Sequence, residues 1–139
     1  MPRKTWVRTP TAGGRSIPEA VRRQTEERIL RHAERRFRGK YTWLDVRFRG
    51  KFCYVDAYTE PAVPKRLPRD FPETRVQYLE RLRATPTHLC RLRYFSEDQW
   101  SFAMYSYSHE RYEDSCLPSG DFWCLPVEAF DVAASLHLS

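Results

Sequence analysis

Two aspartates in the first half of the chain have the type and spacing that chemistry requires. Apolar residues alternate with others over residues 41–58 on both sides of Gly50-Lys51, which predicts a β-hairpin with a two-residue type II′ turn. In the register that this turn fixes, Asp45 lies directly opposite Asp56. Two carboxylates this close repel each other unless a proton, an arginine or a cation lies between them. The pair therefore indicates either a metal site or neutralisation by Arg47.

A metal-dependent nuclease would use the aspartate pair to bind Mg²⁺. Glu60 is then a possible third ligand, and Lys51 or Lys40 would lie near the phosphate. A nuclease site of this kind would be expected to have a Glu-x-Lys sequence after the second aspartate, and this chain has none there. We therefore keep this activity as a second alternative, with Asp45 and Asp56 as its only catalytic candidates, and we predict no metal and no cofactor.

The hairpin face that carries the aspartates also interleaves arginines with aromatic rings. A second hairpin, over residues 87–95 and 100–107, repeats this pattern, with Cys90, Leu92, Tyr94, Phe102 and Met104 toward the core and Arg91, Arg93, Ala103, Tyr105 and Tyr107 on the other side. Bases stack on rings and guanidinium groups hold phosphates, so this face is a candidate nucleic-acid platform. Its candidate residues are Arg47, Arg49, Lys51, Arg91, Arg93, Trp43, Tyr54, Tyr58, Tyr105 and Tyr107. The alternative is that a helix covers this face, so that the rings belong to the core and the arginines pair with Asp45 and Asp56.

Two histidine motifs point to other chemistry. His88-x-Cys90 with Cys116 and Cys124 would supply zinc ligands, but structural zinc sites usually contain closely spaced ligand pairs, which this spacing lacks. His109-Glu110 would suit acid–base chemistry, although a polar turn at the end of a hairpin explains the same residues. No glycine-rich phosphate loop, nucleophile elbow or paired-histidine metal motif occurs, and the chain has only 5 glycines, so a dinucleotide cofactor is not expected.

Three helices and about five strands are needed to position these residues. Ser16 and Glu19 match a capping box, which predicts a first helix from residue 16 to about residue 38. Four prolines make residues 59–72 a crossing loop, and helical spacing resumes over residues 73–83. A strand over residues 111–117, a short strand over residues 122–124 and a last helix over residues 126–136 follow the second hairpin. We expect an α+β fold in the order α-β-β-α-β-β-β-α, with a mainly antiparallel sheet packed on three helices.

Charge is distributed unevenly along the 139 residues, whose net charge is +6. Residues 1–51 hold 15 Lys and Arg against 5 Asp and Glu, whereas residues 52–139 hold 9 against 13. Arginine makes up 20 of the 24 basic residues and suits phosphate, which favours a nucleic-acid partner for the basic half. Arg28 and Arg35 on the first helix are further candidates, although Glu26, Glu27 and Glu34 would also balance a solvated helix face.

The chain has the size of one domain preceded by a basic arm. Residues 1–15 lack periodicity and predict a flexible arm, in which Trp6 either docks on the domain or anchors a partner, and residues 16–139 predict a single α+β domain. No apolar run is long enough to cross a bilayer and no signal-peptide segment is seen, so we expect no membrane partner and a cytoplasmic location. The scattered cysteines indicate reduced thiols, of which Cys53 and Cys90 are buried.

The stretches GKYTWLDVRFRGKFCYVDAYTEP, TPTHLCRLRYF, YSYSHERYE, PSGDFW and VEAFDVAA resemble a family of small uncharacterised bacterial proteins associated with mobile or horizontally acquired genes. The resemblance covers about residues 20–135 and implies one contiguous domain. Members often begin the last helix with a Thr-Pro-Glu-Glu-like sequence, where this chain has Leu125-Pro126-Val127-Glu128. The family has no settled activity, so the resemblance assigns no functional residue.

The sequence favours non-catalytic nucleic-acid binding through the arginine and aromatic face and the basic first helix. A protein-interaction subunit of a larger assembly is the alternative, in which Trp6, Trp43 and Trp123 are anchors. The metal-dependent nuclease is the second alternative.

Overall fold

The structure is a computed structural model that describes residues 9–138. Its elements are α1 (Glu19–Arg36), β1 (Trp43–Arg49), β2 (Phe52–Tyr58), α2 (Arg75–Ala84), β3 (Thr87–Ser96), β4 (Gln99–Ser106), β5 (Arg111–Ser115) and α3 (Pro126–His137). This order, α-β-β-α-β-β-β-α, confirms the predicted α+β fold. The predicted short strand at residues 122–124 is reduced to one bridge, between Trp100 and Cys124.

The five strands form one antiparallel sheet in the order β1-β2-β3-β4-β5. The β1–β2 register is the predicted one, with Leu44 opposite Ala57, Val46 opposite Val55 and Asp45 opposite Asp56. Gly50 in the turn has a φ of 58°, a left-handed conformation that glycine adopts without steric cost. The local turn chemistry and the alternation of side chains are therefore sufficient to predict the register of this hairpin.

Helices α1 and α3 cover one face of the sheet and form the core with it. Ile29 and Ala33 of α1 and Phe130 of α3 are fully buried against sheet residues such as Val55 and Leu92. Cys53, Cys90 and Cys124 are buried here as free thiols, while Cys116 is exposed. Burial raises the pKa of Cys53 and Cys90 and raises the pKa of Cys124 to about 12, so these three thiols are unreactive at neutral pH.

The start of α1 differs from the sequence prediction. The helix begins at Glu19 after Pro18, and no side chain caps it, so the predicted capping box of Ser16 and Glu19 is absent. Ile17 is instead buried, and its N–H donates to the carbonyl of Gly50 at 3.0 Å. Burial of Ile17 at the hairpin end therefore places the chain upstream of α1, and Ser16 remains exposed.

Helix α2 follows the proline-rich loop and buries none of its residues. Thr74 caps it by accepting from the Gln77 N–H at 3.2 Å, and Arg83 pairs with Glu60 of the preceding loop at 2.6 Å. The helices that pack extensively on the strands are α1 and α3. Within residues 9–138, no helix is both long enough and apolar enough to span a bilayer.

Candidate functional site on the open face of the sheet

Among residues 9–138 no helix covers the face of the sheet opposite α1 and α3, and we refer to it as the polar face. It carries Trp43, Asp45, Arg47, Arg49, Phe52, Tyr54, Asp56, Tyr58, His88, Arg91, Arg93, Ser101, Ala103, Tyr105, Tyr112 and Asp114. Trp43 is 51% exposed, and Tyr107, just beyond β4, is 52% exposed. The predicted platform residues of both hairpins lie together on this face, which no helix of the described residues covers, although Pro10 and Gly13 contact it at Ser101 and Arg93.

His88 reaches the polar face because β3 contains a β-bulge. Val55 pairs with Cys90 and Asp56 pairs with His88, so Leu89 is an extra residue in β3. Leu89 is fully buried in the core, and the bulge turns His88 toward Asp56. The sequence carries one sign of this bulge that our prediction missed. The consecutive apolar pair Leu89-Cys90 breaks the alternation of β3.

The opposed aspartates are neutralised by Arg47. One guanidinium nitrogen of Arg47, Nη1, donates to Asp45 at 2.6 Å and to Asp56 at 2.7 Å. Asp56 is only 2% exposed, and its other oxygen lies 2.9 Å from Nδ1 of His88. The hydrogen bond to Asp56 raises the pKa of Arg47. Both oxygens of the buried carboxylate are thus satisfied by protein groups.

The metal-site expectations find no support in this geometry. Glu60, the suggested third Mg²⁺ ligand, pairs with Arg83 instead. Cys90 lies in the core while His88 lies on the polar face, so the predicted zinc motif is split between two faces. Across residues 9–138, no three His, Cys, Asp or Glu residues are grouped so that they could hold a metal ion.

Four cations at the β1–β2 turn end of the polar face form what we term the cation cluster: Arg49, Lys51, Arg91 and Arg93. Three of them surround the ring of Phe52, with Arg91 at 4.7 Å, Arg93 at 4.9 Å and Lys51 at 5.6 Å from its centroid. None of the four forms a salt bridge with a carboxylate in the described part of the chain. Burial and the charge of Arg91 lower the pKa of Arg93. The fold therefore holds like charges together at an energetic cost.

Tyr54, Tyr105, Tyr107 and Tyr112 form a tyrosine cluster beside these cations. Tyr112 lies 5.8 Å from Tyr54 and 5.1 Å from Tyr105, and Tyr105 lies 4.8 Å from Tyr107, measured between ring centroids. Arg91 reaches over the ring of Tyr112 at 5.4 Å. Burial raises the pKa of Tyr107 and Tyr112, so both rings stay neutral well above physiological pH. Sequence reasoning omitted Tyr112 from the platform, because β5 had no predicted register.

Trp43 and Tyr58 lie at the opposite corner of the polar face. Their rings stack with centroids 4.3 Å apart and planes 4° from parallel. One side of the Trp43 ring is therefore occupied by Tyr58, while the residue remains half exposed. Trp123, which the adaptor alternative treats as an exposed anchor, is half-buried with its ring 5.0 Å from Phe95.

Part of the predicted arm lies on the sheet. The Arg15 N–H donates to the Tyr94 carbonyl at 3.0 Å, Arg93 donates to the Gly13 carbonyl at 2.9 Å, and Ser101 donates to the Pro10 carbonyl at 2.5 Å. A Cβ on Gly14 would lie 2.7 Å from the Tyr94 carbonyl oxygen, so only glycine permits this approach. Arg15 thereby joins Arg49 and Lys51 along a groove lined by Phe52 and Tyr54. Trp6 lies outside the described residues.

The helix arginines occupy a different layer. Arg28 and Arg35 are exposed on α1, which packs on the core face of the sheet. Arg28 lines a groove with Trp100 and Leu125 rather than joining the cation cluster. One ligand lying on the polar face would therefore contact the strand candidates but not these two.

His109 also differs from its predicted role. Its side chain forms a close pair with Glu113 rather than acting with Glu110, which sits in the turn with a φ of 53°. The pair is exposed at the end of the β4–β5 hairpin, so a turn-stabilising contact accounts for it.

Comparisons of the chain with protein-family models, with curated proteins and with solved structures give no match. A function must therefore be inferred from the geometry of the polar face.

Proposed function

We propose that the polar face binds single-stranded nucleic acid without sequence-specific hydrogen bonding. The observation that carries this proposal is the cation cluster: three of its four members lie over the ring of Phe52, and none has a carboxylate partner in the described part of the chain. Like charges kept together on an open surface lower stability, so their retention favours an anionic ligand.

The rings beside the cations suit bases better than they suit a protein anion. Tyr54, Tyr105 and Tyr107 are accessible, and each base stacked on such a ring contributes roughly 1–3 kcal/mol. The cations would contact successive phosphates while bases lie on the tyrosine cluster. A flat, open sheet face suits unpaired bases, because the bases of a duplex are already stacked on one another.

The acidic side chains restrict the path of the ligand. Asp114 is exposed on β5 at the far edge of the polar face, and Glu113 is on the same strand. A phosphate backbone would therefore run over β1, β2 and β3 and avoid β5. Arg15 borders the cation cluster and adds to the positive surface along which this backbone would run.

A protein-interaction role is the second candidate. It is favoured by the half-exposed Trp43 and by Val76, which is 65% exposed on a helix that buries no residue. Such a partner would use apolar anchors rather than charge, so its binding would change little with salt.

Fluorescence anisotropy of labelled single-stranded RNA, single-stranded DNA and duplexes, titrated with salt, tests the proposal. We expect single strands to bind more tightly than duplexes, and we expect Arg91→Ala/Arg93→Ala to weaken binding about 10-fold or more and to reduce the salt slope by about 2. Arg28→Ala/Arg35→Ala is the matched control, because it removes the same charge from the other layer. Equal losses in the two double variants would mean that net charge alone causes binding, and the proposal would then be wrong.

A further inference from the structure

We infer that His88 is a general base on the polar face and that the protein cleaves bound RNA without a metal ion. This inference rests on the proposed nucleic-acid binding and adds a substrate, RNA, and a reaction. The buried Asp56 and the open position of His88 carry it, each independently of the charge distribution.

Asp56 fixes the orientation of the His88 ring. Nδ1 of His88 lies 2.9 Å from the Asp56 carboxylate, which Arg47 holds from its other side at 2.7 Å. A carboxylate accepts only, so Nδ1 carries the proton, and in the neutral ring Nε2 keeps a free lone pair. The same carboxylate–imidazole arrangement orients the base in serine hydrolases. Asp56 is therefore a positioning residue, and Nε2 is the atom that would take a proton.

Nε2 of His88 is available to a ligand. The His88 side chain is 35% exposed, and Nε2 has no hydrogen-bond partner among residues 9–138. Tyr105 and Tyr107 flank the ring, with centroids at 4.8 Å and 6.5 Å, and the Tyr107 hydroxyl accepts from the His88 backbone N–H at 2.7 Å. Aromatic walls with a fixed imidazole between them make a partly desolvated site, in which proton transfer is more effective than in bulk water.

The spacing between His88 and the cation cluster points to RNA as the substrate. Arg91 pairs with Tyr54 and His88 pairs with Asp56, two positions further along β2, so the two side chains are separated by roughly 7 Å along the sheet. A backbone held by Arg91 would continue past Nε2 within about one nucleotide. The ribose 2′-hydroxyl is the acidic group that RNA has and DNA lacks.

The reaction is an internal transfer. His88 Nε2 takes the proton of a 2′-hydroxyl, the 2′ oxygen bonds to the adjacent phosphorus, and the bond from phosphorus to the 5′ oxygen breaks. The leaving 5′ oxygen takes a proton from water, and the hydroxide so formed recovers the proton from His88. The products are a 2′,3′-cyclic phosphate and a free 5′-hydroxyl, with no net consumption of water or metal.

The full chain is tested on a labelled single-stranded RNA in EDTA, with DNA and 2′-O-methyl RNA of the same sequence as non-cleavable ligands. We expect RNA to be cut to products that mass spectrometry identifies as cyclic phosphates, while both analogues bind uncut. His88→Ala should lower the cleavage rate at least 100-fold at unchanged affinity, since a general base contributes about that much. His109→Ala, purified in the same way, is the matched control and should keep full activity.

Asp56→Asn provides the positioning test. Loss of the carboxylate removes the preference for Nε2 as acceptor, so we expect a lower kcat with little change in KM. Circular dichroism checks that both variants are folded, and added imidazole should restore part of the activity of His88→Ala.

Each outcome separates the two proposals. Binding of all single strands with no cleavage overturns the inference and leaves the proposed function intact. Cleavage that persists in His88→Ala, or that requires Mg²⁺, also overturns it. Absence of both binding and cleavage overturns the inference together with the proposed function.

Discussion

Two neighbouring sets of arginines on the polar face use the same side chain in opposite ways, although Arg47 and Arg91 both pair with Tyr54. Arg47 donates to both Asp45 and Asp56, so its charge is met within the protein. Arg91 and Arg93 instead contact the ring of Phe52 and have no carboxylate partner in the described part of the chain. The difference shows that an arginine-rich surface cannot be interpreted by counting. The charge of Arg47 is compensated within the fold, whereas Arg91 and Arg93 contact only neutral groups of the described residues, among them the Gly13 carbonyl that accepts from Arg93.

The energetic cost of placing uncompensated cations side by side is seen at Arg93. Folding lowers its pKa through burial and through the neighbouring charge of Arg91, so the native state disfavours this cation. The bond with Asp56 has the opposite effect on Arg47, whose pKa is raised. Four predictions test whether this contrast has the consequences that we assign to it.

The largest expected effect is the loss of stability when Arg47, the compensated arginine, is removed. Arg47→Ala leaves Asp56 buried with His88 as its remaining partner, and we expect the free energy of unfolding to fall by about 2 kcal/mol. This is less than for a fully buried pair, because Arg47 is half exposed. Arg91→Ala, the matched variant in the cation cluster, should change the free energy of unfolding by no more than about 0.5 kcal/mol. Urea denaturation measures the free energy of unfolding of both variants, and similar losses would contradict the distinction between compensated and uncompensated arginines.

The next prediction concerns a variant that places a carboxylate among the uncompensated cations. Lys51→Glu places a carboxylate beside Phe52, near Arg91 and Arg93, and we expect nucleic-acid affinity to fall about 10-fold at low salt while thermal stability is kept or slightly raised. Lys40→Glu makes the same charge change before β1, away from the cluster, and should have a much smaller effect on affinity. If the two variants weaken binding equally, the position of the charge is irrelevant.

A smaller effect concerns the corner formed by Trp43 and Tyr58. A double-mutant cycle with Trp43→Ala and Tyr58→Ala should give a coupling energy of about 1 kcal/mol, because the rings are in stacked contact. Thermal denaturation of the four proteins provides the measurement. A coupling near zero would contradict the prediction, because the stacked contact would then contribute nothing to stability.

The smallest effect is on the pH dependence of stability. Burial, and next the charge of Asp56, raise the pKa of Tyr112 above its ordinary value of 10.0. The stabilisation that comes from keeping Tyr112 neutral in the fold is therefore fully present below pH 10. It is lost above pH 10, because the unfolded chain releases the Tyr112 proton at a lower pH than the folded chain does. Tyr112→Phe should make the decline in stability above pH 10 shallower than in the unchanged protein. Chemical denaturation between pH 9 and pH 11 measures the two slopes, and identical slopes would contradict the prediction.

Local sequence features were enough to predict the element order, the register of the first hairpin and the side chains that share each face of it. These follow from local physics: alternation with a period of two and a glycine turn fix which residues face each other. The opposed aspartates and their neutralisation by Arg47 were predictable for the same reason.

Which of these residues lie in contact with one another depends on how distant segments pack. The bulge at Leu89, which brings His88 to Asp56, depends on pairing between β2 and β3, and His88 and Asp56 lie 32 positions apart in the sequence. The path of residues 10–15 and the start of α1 after Pro18 likewise depend on contacts between distant segments, and so does the lack of a salt bridge to Arg91 or Arg93 within residues 9–138. Local periodicity cannot specify such contacts, because their free energy depends on which surfaces the folded chain brings together.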